Sequence, residues 1–246
     1  MPLFFVSPEN IKEDEKTFLI QGEDSKHIVK SLRYKENDKI LITDGKGNKY
    51  LAKIDCIENN LITGKIVNAI SASIDPIATR ITMAQALVKS HKMDFIIQKS
   101  TELGIYSIIP FISSRTIPII CENNLWKKHQ RWEKIAYEAC KQSERSVIPK
   151  IFPIINFSEL LNKSMNFNLS LIFWENETTN NLKYVLSKSK PKTILCIIGP
   201  EGGFSQEEIR KAQEFGLIST SLGNHYLKSE TAALFVLSIV NYLYNF

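Results

Sequence analysis

Nowhere does this chain run apolar for the roughly 20 residues that a membrane-spanning helix needs, so no span is expected. Its opening Met1, Pro2, Leu3, Phe4, Phe5 and Val6 is short and lacks a basic lead-in, which argues against a secretory leader and makes the cytoplasm the expected location. Cysteine is scarce. Cys56, Cys121, Cys140 and Cys196 are widely spaced, form no C-x-x-C pair and stand in apolar surroundings, so the expectation is buried structural thiols, with no zinc site and no disulfide framework. His91 and His129 match no metal geometry with other ligands, and no metal is expected. The sequence also lacks G-x-G-x-x-G and Gly-Lys-Ser/Thr, which excludes a dinucleotide fingerprint and a Walker loop. Internal repeats and low-complexity tracts are absent.

What is present is an ordinary globular composition. With 246 residues, 43% hydrophobic and 23% charged, the chain can bury a sizeable core as two domains or one large α/β domain. The net charge of +5 is unevenly spread: residues 1–75, 76–150 and 151–246 carry −1, +6 and 0. A local basic excess favours phosphate where it sits, although a solvated helix face would carry the same charges with no partner.

The pattern changes character part-way along the chain. Residues 39–43 and 50–54 read as strands joined by a hairpin turn at Asp44, Gly45, Lys46, Gly47 and Asn48, with a third strand at 61–67. One short helical pattern at 24–33 interrupts them, and 71–76 reads as a linker. From Arg80 onward, strand-length apolar runs at 81–88, 107–112, 169–173, 193–198 and 218–222 alternate with helical patterns at 91–103, 125–144, 180–189, 206–215 and 230–244. Such alternation predicts a mostly parallel sheet with helices on its faces. Along the 125–144 helix and just past it, Lys127, Arg131, Lys134, Glu138, Lys141 and Arg145 recur at steps of three and four opposite an apolar stripe, giving an almost wholly basic face. The final helix is apolar nearly all round, so it needs burial on more than one side, in the core or against a second subunit.

Two glycine-bearing turns carry the chemistry. Gly199, Pro200, Glu201, Gly202, Gly203 and Phe204 lie between a buried strand and a helix that starts at a capping box, Ser205 with Glu208. Such a turn exposes backbone groups at the C-terminal edge of the sheet, where open α/β sheets bind ligands. The second turn, Leu222 and Gly223 through Asn224, His225, Tyr226, Leu227 and Lys228 to Ser229, Glu230 and Thr231, also links a strand to a helix.

Together these turns, with Ala232, Ala233 and Leu234 after the second, resemble the signature of the ribosomal RNA small subunit methyltransferase E family, which belongs to the trefoil-knotted SPOUT methyltransferases. The resemblance runs the length of the chain, through His27 with Leu32 and Arg33, Asp44 with Gly45, Gln98 and Lys99 with Glu102, Leu103 and Gly104, and Gln142 with Arg145 and Pro149. It implies an α/β fold with a PUA-like β-barrel RNA-binding domain at 1–75 and a SPOUT knot methyltransferase domain at 76–246. It implies N3-methylation of a uridine in 16S ribosomal RNA of the small subunit, with S-adenosyl-L-methionine as methyl donor, by a homodimer. The cofactor loops it implies are Phe173, Trp174 and Glu175; Ile198, Gly199, Pro200, Glu201, Gly202 and Gly203; and Leu222, Gly223, Asn224, Leu227 and Lys228. Where the family usually shows Arg in the last loop this chain has His225 and Lys228, with Ser229 in place of Thr; Lys keeps the charge but loses the planar fork of guanidinium.

An activated methyl asks the protein mainly for alignment and exclusion of water. Uridine N3 still carries a proton that must leave, and Glu201, His225, Lys228 and Glu230 are the acid–base or cationic candidates in the two turns. RNA contacts are expected from His27, Lys30 and Arg33 on one side of the short helix, and from Lys89, Lys92, Arg115 and Arg145. A relative of the same fold acting on ribose 2′-oxygen or transfer RNA, and a non-catalytic RNA-binding protein with a vestigial cofactor pocket, stay open at this point.

Overall fold

The computed structural model describes residues 1–70, 79–116, 125–188 and 190–245; the expected linker at 71–76 and Cys121 lie outside them. The described chain divides into two compact units, Met1–Pro76 with Cys140–Ile148, and Ile77–Ala139 with Pro149–Phe246.

In the first unit, period-two alternation drives a six-stranded sheet. Its strands are β1 (Leu3–Phe5), β2 (Ile11–Lys12), β3 (Thr17–Gln21), β4 (Lys39–Thr43), β5 (Lys49–Glu58) and β6 (Leu61–Ile70), in the order β1-β4-β5-β6-β3-β2. Ile40, Ile42, Tyr50, Ala52, Ile54 and Ile62 alternate inward to form its core with Ile28, while their neighbours, the buried Thr43 apart, are partly or fully exposed. The expected hairpin strands are present but longer. β1, which pairs in parallel with β4, leaves no periodic trace in the sequence, because three residues are too few to show a period. The short helix differs more: α1 (Glu23–Lys26) continues as a π-helical turn, His27–Ser31, closed by Leu32 N–H donating to His27 C=O at 3.0 Å. Spacing on a π turn is not that of an α-helix, so the shared face expected for His27, Lys30 and Arg33 is altered, and Arg33 sits beyond the turn at φ 58°. Cys56 is partly exposed, correcting the expectation of a buried thiol; a register shift between Ile54 and Cys56 breaks the inward alternation there. Residues 140–148 belong to this unit through bonds such as Gly47 N–H to Ser146 C=O at 3.1 Å and the Lys141–Asp24 ion pair at 2.7 Å.

The second unit is built on parallel strands. In chain order it contains β7 (Arg80–Ala86), α2 (Ser90–Glu102), β8 (Ser107–Ile112), α3 (Leu125–Gln142, whose last turn falls in the first unit), β9 (Lys150–Ile151), β10 (Ile155–Asn156), α4 (Phe157–Ser164), β11 (Leu169–Phe173), α5 (Leu182–Ser187), β12 (Thr193–Ile198), α6 (Gln206–Glu214), β13 (Ile218–Thr220) and α7 (Ser229–Asn245). The strand order is β10-β8-β7-β12-β11-β13, with β9 beside β8. Both faces are covered, as a parallel sheet requires. Along β12, Ile194, Cys196 and Ile198 pack with α2, α3, α5 and α7, while Leu195 and Ile197 pack with α4 and α6. Burying one such side chain contributes roughly 1.5–3 kcal/mol.

Strand order also fixes where a ligand can sit. From β7 the chain steps to β8 on one side, and β12, β11 and β13 later fill the other, so the order reverses between β7 and β12. At such a switch point the loops after the two strands diverge and leave a crevice. α7 then returns to pack on α2, β7 and β12.

Candidate functional site

Because β7, β8, β11, β12 and β13 are parallel, the loops that follow them share one edge of the sheet. All the cofactor-loop candidates, with Lys89, Lys92 and Arg115, stand at the last residues of these strands (Phe173 and Ile198), on the loops after them or on the first turns of the helices that follow.

The turn after β12 is tied down on every side. Gly203 N–H donates to Pro200 C=O at 3.0 Å, and Gly203 takes φ 64°, where a Cβ would also overlap the Glu175 carboxylate. Arg115 Nη1 donates to Gly202 C=O at 3.0 Å. The expected capping box is present: Ser205 N–H donates to Glu208 Oε2 at 2.9 Å and Glu208 N–H to Ser205 Oγ at 3.2 Å. Glu208 is buried and does more than cap, because Ser114 donates to it through N–H at 2.8 Å and Oγ at 2.7 Å. One carboxylate thus joins the ends of β8 and β12.

Two residues that sequence reasoning left without a role complete this turn. Ser229 Oγ donates to Gly199 C=O at 2.6 Å and accepts from Gln85 Nε2 at 2.9 Å, so the start of α7 is bonded to the ends of β7 and β12. The signal was a lone amide, Gln85, inside the otherwise apolar end of β7. Gln85 Oε1 and Trp174 Nε1 are buried at this edge and have no hydrogen-bond partner among the described residues.

The turn after β13 is different. Gly223, Asn224, His225, Tyr226 and Lys228 are exposed, Tyr226 to 84%, and only the partly buried Leu222 and Leu227 reach the core. His225 and Lys228 enter no ion pair among the described residues.

Glu201 and Glu230, from different turns, meet at the switch point. Lys92 Nζ, on the first turn of α2, lies 3.2 Å from Glu201 Oε1 and 3.4 Å from Glu230 Oε2, and all three side chains are about one-fifth exposed. The hydrogen bond to Glu201 holds the Lys92 ammonium above its usual range. Burial alone would raise Glu201, but its own backbone N–H, the Lys92 ammonium and the Lys89 backbone N–H together hold it below the ordinary carboxylate range.

Of the other expected RNA contacts, His27, Lys30, Arg33, Lys89 and Arg115 are exposed. Arg145 is half-buried, and burial lowers its guanidinium, so it is not a free surface charge. The basic face of α3 is partly neutralised, since Arg131 Nη2 pairs with Asp94 at 2.7 Å. A cavity of about 350 Å³ in the first unit is lined by Lys12 and by Glu13, Asp14, Glu15 and Asp44 beside Tyr50, a predominantly acidic lining that disfavours phosphate. Among the described residues no three His, Cys, Asp or Glu side chains gather as a metal site, and no helix is long and apolar enough to cross a membrane.

Residues 75–241 match the family model described as RNA methyltransferase domain, and residues 20–67 the model described as RNA methyltransferase PUA domain. The ribosomal RNA small subunit methyltransferase E of Mesomycoplasma hyopneumoniae is 33% identical over 93% of this chain and 96% of its own length. The chain belongs to the ribosomal RNA small subunit methyltransferase E family of RNA methyltransferases. The Bacillus subtilis member of the family is 29% identical over 94% of this chain and 91% of its own length. A crystal structure of the Neisseria gonorrhoeae member of the family, bound to S-adenosyl methionine, superposes with a TM-score of 0.86 at 30% identity, covering 99% of this chain and 98% of that one.

Proposed function

We propose that this chain transfers the methyl group of S-adenosylmethionine to N3 of a uridine in 16S ribosomal RNA. The observation that carries the reading is the superposition on the cofactor-bound Neisseria gonorrhoeae protein over nearly the whole of both chains, combined with the glycine-bearing turn after β12 at the switch point of this sheet, to which the start of α7 is bonded. When bound, S-adenosylmethionine supplies an activated methyl on a positively charged sulfonium.

The residues present fit that group. Trp174 Nε1 and Gln85 Oε1 are an unpaired buried donor and acceptor at the sheet edge, and a polar ligand there would satisfy groups that are otherwise rarely left alone. Lys92, Glu201 and Glu230 sum to one negative charge, which complements a sulfonium. Phe173, Trp174 and Glu175, the turn from Ile198 to Gly203, and Leu222, Gly223, Asn224, Leu227 and Lys228 hold the cofactor, largely through backbone groups. His27, Lys30, Arg33, Lys89 and Arg115 meet RNA phosphates, exposed as they are. Glu201, His225, Lys228 and Glu230 are the groups available to take or balance the N3 proton.

The fuller architecture belongs to the same reading: a PUA-like barrel at 1–75 that docks RNA, a trefoil-knotted SPOUT domain at 76–246, and a cytoplasmic homodimer working on the small ribosomal subunit. Phe235, Tyr242 and Leu243 of α7 are 41%, 74% and 48% exposed, an apolar face that a second copy would cover. Sedimentation at micromolar protein is expected to give a dimer, and a monomer would remove that part. The function is tested by mass spectrometry of nucleosides from small-subunit RNA of cells lacking the gene. Loss of 3-methyluridine is the expected result; its persistence, or loss of a ribose 2′-O-methyl group instead, overturns the reading.

A further inference from the structure

Glu201, His225, Lys228 and Glu230 enter as equals, but the geometry separates them. His225 is exposed on the turn after β13, and so is Lys228, with nothing to fix either side chain against a substrate atom. Glu201 is already committed, to its own N–H, to the Lys89 N–H and to Lys92. Glu230 is held more simply, by Lys92. Its Oε2 is buried 3.4 Å from the Lys92 ammonium and makes no well-aligned hydrogen bond among the described residues, at the N-terminal end of α7 where a negative charge is favoured. A buried carboxylate oxygen without a well-aligned hydrogen bond is uncommon, and here it stands at the switch point between β7 and β12.

We propose that Lys92 is a positioning residue rather than an RNA contact: its ammonium fixes Glu201 to the turn after β12 and, by holding Glu230 Oε2, orients the partly exposed Glu230 carboxylate to accept the uracil N3 proton. The assignment rests on the methyl-transfer reading above. In the step it serves, the N3–H proton passes to the Glu230 carboxylate and the N3 electron pair forms the bond to the methyl carbon. The electron pair of the broken S–CH₃ bond stays on sulfur, leaving a neutral thioether, and Glu230 then releases its proton to water. A lysine already shared by two carboxylates in a cluster of net negative charge is a poor phosphate contact, so the pairing argues against the RNA role as well.

The test uses the full chain, S-adenosylmethionine and small ribosomal subunits that lack the methyl group. In Lys92→Met, kcat is expected to fall about 10²-fold, the loss that a displaced reacting group produces. KM for both substrates, cofactor affinity by calorimetry and RNA affinity without cofactor should change less than about twofold, in contrast to the loss of a transition-state interaction. Lys92→Arg should restore most of the rate. Glu230→Gln, which leaves Lys92 in place, should lose about 10²- to 10⁴-fold in kcat, the range for general-base removal, and Glu201→Gln should lose less. The proposal is overturned if Lys92→Met weakens RNA binding while kcat survives, if Lys92→Arg fails to rescue, or if Glu230→Gln turns over like the parent. Should Lys92→Met not fold, Glu230→Gln decides alone. A parent protein that makes no 3-methyluridine sinks the methyl-transfer reading instead, which keeps the two failures apart.

Discussion

The turn after β12 and the turn after β13 have the same plan, a strand, a glycine-bearing loop and a helix, but are held very differently. The first is bonded at Gly199 to Ser229, which also bonds Gln85, and to the segment after β8 through Arg115 and Glu208. The second exposes five of its residues and reaches the core only through Leu222 and Leu227. In the cofactor site proposed above, the first turn would be the fixed wall against which a reacting methyl is aligned and the second the looser wall past which ligands enter.

The sharpest way to break this comparison is to substitute the glycine of each turn. Gly203→Ala forces a side chain into positive φ and into the Glu175 carboxylate. Calorimetry is expected to show cofactor affinity lowered about 100-fold, and unfolding a loss of about 1–3 kcal/mol. Gly223→Ala, at φ 111° with open space around it, carries backbone strain alone and should cost less on both readouts. Equal losses at the two positions would erase the distinction.

Next in size is Ser229→Ala, which removes the bond to Gly199 and leaves the buried Gln85 amide short of an acceptor. Thermal or urea unfolding should register a loss of about 1–3 kcal/mol.

A smaller effect separates the walls by pH. Because Glu201 is held below the ordinary carboxylate range, its pairing stabilises the fold above that range and the contribution is lost as pH falls through the lowered value. The stability gap between the parent and Glu201→Gln should therefore narrow on acidification; a constant gap would detach Glu201 from the fixed wall. Smallest of all, His225→Ala and Lys228→Ala should leave stability within about 0.5 kcal/mol. A larger stability change would mean that the exposed turn is held after all.

The same contrast shows how far the sequence could be read. The strands at 107–112, 169–173 and 193–198 were legible because each is an apolar run of strand length bounded by turn residues, and the capping box before α6 was legible because Ser205 and Glu208 stand three apart. The Asn156–Glu159 box of α4 carries the same signature and was overlooked, since the strands β9 and β10 beside it are only two residues long. Other features left no local trace. The return of residues 140–148 into the first unit and the π turn at His27–Ser31 depend on tertiary packing. The site was half legible: spacing and resemblance found both turns, while the meeting of Lys92, Glu201 and Glu230 needed the strand order that brings β7 beside β12.

The central claim is that these turns enclose one cofactor between them. A crystal of the full chain grown with S-adenosylmethionine tests it most directly. The account requires density bounded by residues 199–203 on one side and 222–228 on the other, with Trp174 near enough to donate. Cofactor bound elsewhere, or side chains filling the space between the turns, would contradict it.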